Sequence, residues 1–425
     1  MSKILLTTYN KTLINYSDNF FFSNRSFFKH FDENNTKINF QFIKPLEQNK
    51  TTRYQAENET DHLTKIIESD LYNNLNDIHS LGYSNKYWKI ILGHWLSRYI
   101  KIVYFRYKLL QHCFKQTRDI DFTLASKFND FSQSISNTSD IWLASIDDNW
   151  NFNLFSKILS KAFINKCEIK FVDIQENYFN PKINNKINTS KEIIKTNIQN
   201  FLSYLNYFGK KNKIVFKNSY LSFLDEIYLS FLNKEFPTFL VNKNYKKFSL
   251  NKKLRDKINI SNGKSDSFEN LVRELIPDAL PRVVLEDYKS ILDSVNNSNW
   301  PKNPKVIFTS NSYDGDDFFK FWTADKVETK KSLYIIGQHG LFDSSEKLLF
   351  NSNEYQSCDK YLRWGKKKYE KDVELFNFKL INRKFINKNN NNIFIISRTT
   401  GHEVETFSRY DEYDFYNQCL INLLS

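Results

Sequence analysis

The chain has 425 residues, of which 40% are apolar, 16% aromatic and 26% charged, a mixture that buries a substantial core and excludes wholesale disorder. Nine glycines, seven prolines and four cysteines exclude collagen-like, linker-like and disulfide-scaffold chains. Lys plus Arg is 61 against 48 for Asp plus Glu, a formal charge of +13, which favours anionic partners (nucleotides, phosphorylated lipids, membranes or nucleic acid) without choosing among them.

Met1 leads directly into Lys3-Ile-Leu-Leu-Thr-Thr8, which reads as a first strand, and no secretory leader is visible. Residues 10–60 are polar and Asn-rich with the cluster Phe20-Phe21-Phe22, and read as loops with short elements. Residues 87–111 form the clearest helix: Trp88, Ile91, Leu92, Trp95, Tyr99, Ile102, Val103, Leu109 and Leu110 recur on one face at helical spacing. Further strands are expected at 141–146, 168–174, 213–217, 237–241, 306–310, 333–337 and 393–397. These runs are rich in Val, Ile, Phe and Tyr and lack clean alternation, which suits parallel strands covered on both faces. Helical patterns between them, including one from Phe318 to about Lys326, predict βαβ units and an α/β fold. Residues 181–189 read as a surface connection, 388–392 as a polar linker and 413–424 as a last helix. One strand and one helix after residue 388 cannot make a second domain alone. Either they complete the first, or the chain is a fragment. No stretch is long and apolar enough to suggest a membrane span. Cys113, Cys167, Cys358 and Cys419 lie at no metal-ligand spacing and read as thiols in a reducing compartment.

Arg106 falls near the centre of the apolar face of the long helix, where a guanidinium must find partners. It reads either as an internal ion pair or as a bidentate ligand for a phosphate or sugar carboxylate. His94 and Arg98 lie on a flank, His94 being either a satisfied half-buried imidazole or one facing a ligand. Gly93 beside it suggests close approach of another group. Val306-Ile-Phe-Thr-Ser310 leads into Asn311-Ser-Tyr-Asp-Gly-Asp-Asp317, with Asp314 or Asp316 placed to cap the following helix. Leu333-Tyr-Ile-Ile-Gly337 leads into Gln338-His339-Gly340, an amide, an imidazole and a turn residue at the carboxyl end of a buried strand, the edge where open α/β sheets bind ligands. Arg398-Thr-Thr-Gly401-His402-Glu403 repeats that design and suits either a phosphate or a solvated turn. Glu286, after the apolar Pro281-Arg-Val-Val-Leu285, is either a cleft carboxylate of raised pKa or a helix-surface residue. No zinc-peptidase, calcium-loop, Walker, dinucleotide-fingerprint or hydrolase-elbow motif is present.

Together these motifs resemble a family of bacterial transferases encoded among surface-polysaccharide biosynthesis genes. The resemblance is carried by Ile4-Leu-Leu-Thr-Thr8, Tyr87-Trp-Lys-Ile-Ile-Leu-Gly-His-Trp-Leu96 continuing to Tyr104-Phe-Arg106, and Leu280-Pro281 leading to Glu286. Ile307-Phe-Thr-Ser-Asn311, Phe319-Lys-Phe-Trp-Thr-Ala324, Gly337-Gln-His-Gly340 and Asp359 leading to Trp364-Gly365 continue it in the same order. The family continues Gln-His-Gly with further glycines, where this chain has Leu341-Phe342.

The resemblance implies a GT-B-like glycosyltransferase with two Rossmann-like domains and a cleft between them, similar in outline to capsule ulosonic-acid transferases and polyol-phosphate polymerases. On it, residues 1–387 are expected to form a Rossmann-like acceptor-side domain with a helical insertion, and 388–425 a linker and the start of a truncated nucleotide-binding domain. It implies catalytic roles for His339 and Glu286, and substrate contacts from His94, Arg98, Arg106, Asn311, Lys320, Gln338, Gly340, Arg398 and Gly401. Expected partners are a nucleotide-sugar donor, a glycan or lipid-linked acceptor and an anionic membrane touched peripherally at the cytoplasmic face, with no cofactor, metal or nucleic acid. Two rivals are a polyol-phosphate transferase using a cytidine nucleotide, and an inactive truncated relative that binds anionic surfaces.

Overall fold

The structure, a computed structural model, describes residues 3–9, 19–22, 39–43, 50–117, 120–127, 132–173, 201, 204–205, 208–260, 268–340, 351–380 and 418–422. The connection at 181–189, Leu341-Phe342, the linker at 388–392, the strand at 393–397 and the loop holding Arg398 and Gly401 lie outside these residues. Of the expected last helix, residues 418–422 are described and are helical.

Among the described residues, two five-stranded, wholly parallel sheets carry the fold. The first has the order β3-β2-β1-β4-β5, from β1 (Ile4–Leu6), β2 (Asn19–Phe22), β3 (Asn39–Phe42), β4 (Phe122–Ser126) and β5 (Glu168–Val172). Ile4 pairs with Phe20 on one side and Phe122 on the other, so the strand order reverses at β1. The second runs in strict sequence, β6 (Ile214–Lys217), β7 (Val306–Thr309), β8 (Leu333–Gly337), β9 (Lys360–Trp364) and β10 (Asp372–Leu375). Both sheets lie before residue 388, in the stretch expected to form the Rossmann-like acceptor-side domain.

The helices are α1 (Lys50–His79), α2 (Asn85–Gln116), α3 (Asp148–Ala162), α4 (Phe223–Leu232), α5 (Phe268–Ala279), α6 (Tyr288–Asn296) and α7 (Asp317–Lys330). Caps fix their starts. Asp147 accepts from the Trp150 amide of α3 at 2.8 Å, and Asp316 from the Phe319 amide of α7 at 3.0 Å. Asp316, one of the two expected caps, therefore does that work. Helix α2 is buried on nearly all sides of its middle, from Ile90 to Leu96, and packs against α1, α3, α7 and the short helix Asn353–Ser357. Gly93 permits the last of these contacts, because a Cβ there would overlap the Asn353 amide. Most of the buried apolar side chains form one cluster centred on this helix.

Two expected strands are corrected. Residues 141–144 are a short helix, framed by a capping box between Asn137 and Asp140. Ile141 and Ala144 are buried while Trp142 and Leu143 are exposed, which is helical rather than alternating spacing. Residues 237–241 form no ladder, because side chains take up backbone carbonyls on this segment: Lys217 Nζ donates to Leu240 O at 2.6 Å and Trp300 Nε1 to Val241 O at 2.9 Å. Strands β2 and β3 and the start of α1 lie in the stretch read as loops with short elements, whereas β4, β9 and β10 and the rest of α1 arise where the sequence reading assigns no element. No described helix is long and apolar enough to cross a membrane.

Candidate functional site

Strands β7 and β8 end side by side, with Thr309 opposite Ile336. Beyond β7, Thr309 Oγ1 accepts from the Ser312 amide at 2.9 Å and turns the chain into the short helix Ser312–Gly315. That helix brings Tyr313 and Asp314 against α2. Beyond β8, Gly337 is required by crowding: a Cβ would lie 2.7 Å from Ser310 Oγ and 2.8 Å from Phe378 Cζ. Gln338 is spent on backbone. Its amide N–H donates to Leu362 O at 2.9 Å, its Nε2 to Gly340 O at 3.0 Å, and its Oε1 accepts from the Trp364 amide at 2.8 Å. It positions the loop that presents His339. Gly340 leaves open space where a side chain would be.

His339 sits at this edge with 22% of its side chain exposed. Its Nδ1 lies 3.1 Å from the Tyr313 hydroxyl and 3.4 Å from Glu354 Oε1. Tyr313 donates its proton to Glu354 Oε2 at 2.9 Å, and Tyr361 donates to Glu354 Oε1 at 2.9 Å. Burial first, and then the Glu354 carboxylate, hold the Tyr313 phenol far above its ordinary range, so it stays protonated. With the phenol hydrogen directed at Glu354, the phenol oxygen can accept from Nδ1–H, the tautomer that leaves the imidazole lone pair on Nε2.

On the other side of Tyr313 lies His94, with ring centroids 5.0 Å apart. Its Nε2 is sealed from solvent without a hydrogen-bond partner, and burial pulls its pKa down to about 3, so the ring is neutral. One turn along α2, Arg98 grips Asp314 with both nitrogens at 2.5 and 2.8 Å and lies 4.1 Å over the Trp142 ring. Burial alone would raise the Asp314 carboxyl. Arg98, with Lys320, outweighs it and holds that carboxyl well below the usual range. Lys320 is fully buried. Its ammonium donates to Asp317 Oδ1 at 2.7 Å, to Asp314 O at 3.1 Å and to Thr138 Oγ1. Asn311 is exposed at the same edge.

The expected residues thus divide. His94, Arg98, Asn311, Lys320, Gln338, His339 and Gly340 come together at the carboxyl edge of β7 and β8. Arg106 does not join them: it is fully buried, three turns beyond His94 on α2, and donates to Asn151 Oδ1 at 2.9 Å and Ser145 O at 2.9 Å. Burial draws its pKa down to about 9, which leaves it charged at neutral pH. Glu286 is also corrected. Its carboxylate is buried against Arg255, at 2.7 and 2.9 Å, and belongs to a structural ion pair. Tyr313, Glu354 and Tyr361 complete the site and were not anticipated. Tyr313 lay inside the loop already singled out after β7, whereas Glu354 stands in Ser352-Asn-Glu-Tyr-Gln-Ser357, which carries no motif.

Among the described residues no cluster of His, Cys, Asp and Glu is arranged to hold a metal ion. The set is suited to proton transfer: a carboxylate, a phenol that remains protonated and an imidazole in series at a partly open edge. No curated protein and no solved structure matches the chain significantly. A family model does, over residues 3–414, and the chain therefore belongs to the LIC12162 family of transferases.

Proposed function

We propose that this transferase moves a sugar from a nucleotide-activated donor to a hydroxyl of a surface glycan or glycolipid. The observation that supports the reading is the Glu354–Tyr313–His339 series, which would suit an imidazole to act as a general base at a strand edge of a parallel sheet. His339 Nε2 takes the proton of the acceptor hydroxyl as its oxygen bonds to the anomeric carbon. The bond from that carbon to the donor's phosphate oxygen breaks, and the nucleotide leaves with the electron pair. Lys379, exposed beside the site with its ammonium 3.3 Å from His339 O, is a cation available to the departing charge. Two parallel sheets in one chain are compatible with a GT-B arrangement, and the +13 charge suits an anionic donor.

The test is a panel of nucleotide sugars labelled in the sugar and, separately, in the phosphate nearest to it. The reading expects sugar label in the product without phosphate label, and loss of at least about 100-fold of that transfer in a folded His339→Ala variant. Phosphate label carried into product would instead establish a polyol-phosphate or related phosphotransferase. Full turnover by His339→Ala would remove this residue from the chemistry.

A further inference from the structure

Helix α4 presents a broad apolar face to water. At 100° per residue, Phe223, Leu224, Tyr228, Phe231 and Leu232 occupy one half of its circumference, and each is 57–73% exposed. Toward the protein, Ser230 is buried, Glu226 accepts from Ser219 Oγ at 2.5 Å, and Ile227 and Leu229 are half-buried. An exposed apolar face of this extent marks a contact surface. Phe208, 66% exposed and 5.6 Å from the Phe236 ring, extends it at the carboxyl end of the helix.

A basic rim borders the same end. Glu235 accepts from the Lys213 and Ile214 amides at 2.6 and 3.0 Å, which ties the chain after α4 to the start of β6. Exposed Lys234 is thereby brought beside exposed Lys211 and Lys213. Farther along, the Lys302 amide donates to Lys210 O at 3.1 Å, which brings two more lysines together.

We propose that this face docks on a bilayer bearing anionic headgroups, the apolar side chains entering the acyl boundary and the lysines meeting headgroup phosphates. A second copy fits less well, because a self-complementary dimer would press two basic rims together. The amino end of α4 lies at the candidate site: Ser310 Oγ donates to Ser219 O at 2.9 Å, and Lys379, which reaches His339 O, lies 4.4 Å over the Tyr220 ring. A membrane on α4 would therefore put the site where a lipid-linked acceptor arrives. That consequence rests on the proposed transfer, whereas the docking itself does not.

The experiment is co-sedimentation of the full chain with vesicles of mixed phosphatidylglycerol and phosphatidylcholine, and with phosphatidylcholine alone. Three lysines near an anionic surface, at about fivefold each, give an expected preference of about 100-fold for the mixed vesicles, weakening with salt. Leu224→Ser combined with Phe231→Ser should lower binding by about tenfold or more with an unchanged melting curve, and Lys211→Glu with Lys234→Glu should abolish the preference. Equal binding by wild type and the serine variant overturns the proposal. So does absence of vesicle binding, or a dimer in light scattering that the serine variant disperses. Vesicle binding without any sugar transfer leaves the docking surface standing and counts against the transfer alone.

Discussion

Tyr313 stands between two imidazoles that their surroundings make unequal. His94 is held neutral by burial, while His339 reaches the edge of the sheet with Glu354 behind it. Glu354→Gln keeps the volume but removes the charge that fixes the His339 tautomer. On the proposed mechanism it is expected to lower kcat by about 100-fold with KM within about twofold, because there the carboxylate would act only through the ring. His339→Ala combined with Glu354→Gln should be no slower than His339→Ala alone, and additive losses in steady-state kinetics would show Glu354 acting elsewhere. The buried histidines also set an acid limit. His94 falls to about 3 and His79, stacked 3.9 Å from Tyr288, to about 4, both chiefly by burial. A histidine whose folded pKa lies below its unfolded value of about 6.5 binds fewer protons folded than unfolded. Its contribution is therefore complete above pH about 6.5 and is lost as pH falls towards the folded pKa. At pH 5 this costs about 1–2 kcal/mol for each ring. Urea unfolding between pH 7.5 and 5 should show the decline, and a shallower one in His79→Gln; parallel slopes would exclude this histidine as a source.

The elements that hold the site are demanding where backbone is crowded and where charge is buried. Gly337→Ala would drive a Cβ into Ser310, Phe378 and Phe308, all within 2.9 Å, and should cost about 1–3 kcal/mol. An unchanged urea midpoint would show that these neighbours move aside. Glu286→Gln breaks an ion pair in which both side chains are at most 1% exposed. It should destabilise by about 3–5 kcal/mol and leave kcat intact in the folded fraction, whereas a loss of kcat without a loss of stability would restore a catalytic role to Glu286. The sequence disclosed those elements whose signal is local. Strands β1 and β5 to β8 are short β-prone apolar runs, α2 repeats its apolar face over many turns, and the polar loops after β7 and β8 follow buried strands directly. Strands β9 and β10 read Lys-Tyr-Leu-Arg-Trp and Asp-Val-Glu-Leu, and the buried Arg363–Asp372 ion pair at 2.8 Å that joins them is invisible until they meet. Arg106 and Glu286 stand next to apolar runs in the sequence, but both are satisfied internally by partners distant in sequence. Glu354 was missed for the converse reason, since a lone carboxylate has meaning only through the Tyr313 and Tyr361 hydroxyls that reach it.

At the scale of the whole molecule, α2 is common to both sheets. Its Arg98 holds Asp314 at the edge of the second sheet, while Arg106, eight residues or about 12 Å farther along, holds Asn151 and Ser145 at the helix that covers the first. Between them lie Tyr99, Ile100, Ile102 and Val103, each 0–2% exposed. A spine shared in this way couples the stability of the two sheets, because neither keeps its covering layer if α2 loosens. Leu96→Ala, at a position with no exposure, removes a buried side chain from the middle of that spine and should cost about 2–5 kcal/mol. The expected result in hydrogen exchange is an equal loss of protection in peptides from β4 and β5 and in peptides from β7 and β8. Loss confined to one sheet would show that the sheets unfold separately, and that Arg98 and Arg106 anchor two independent units through one helix.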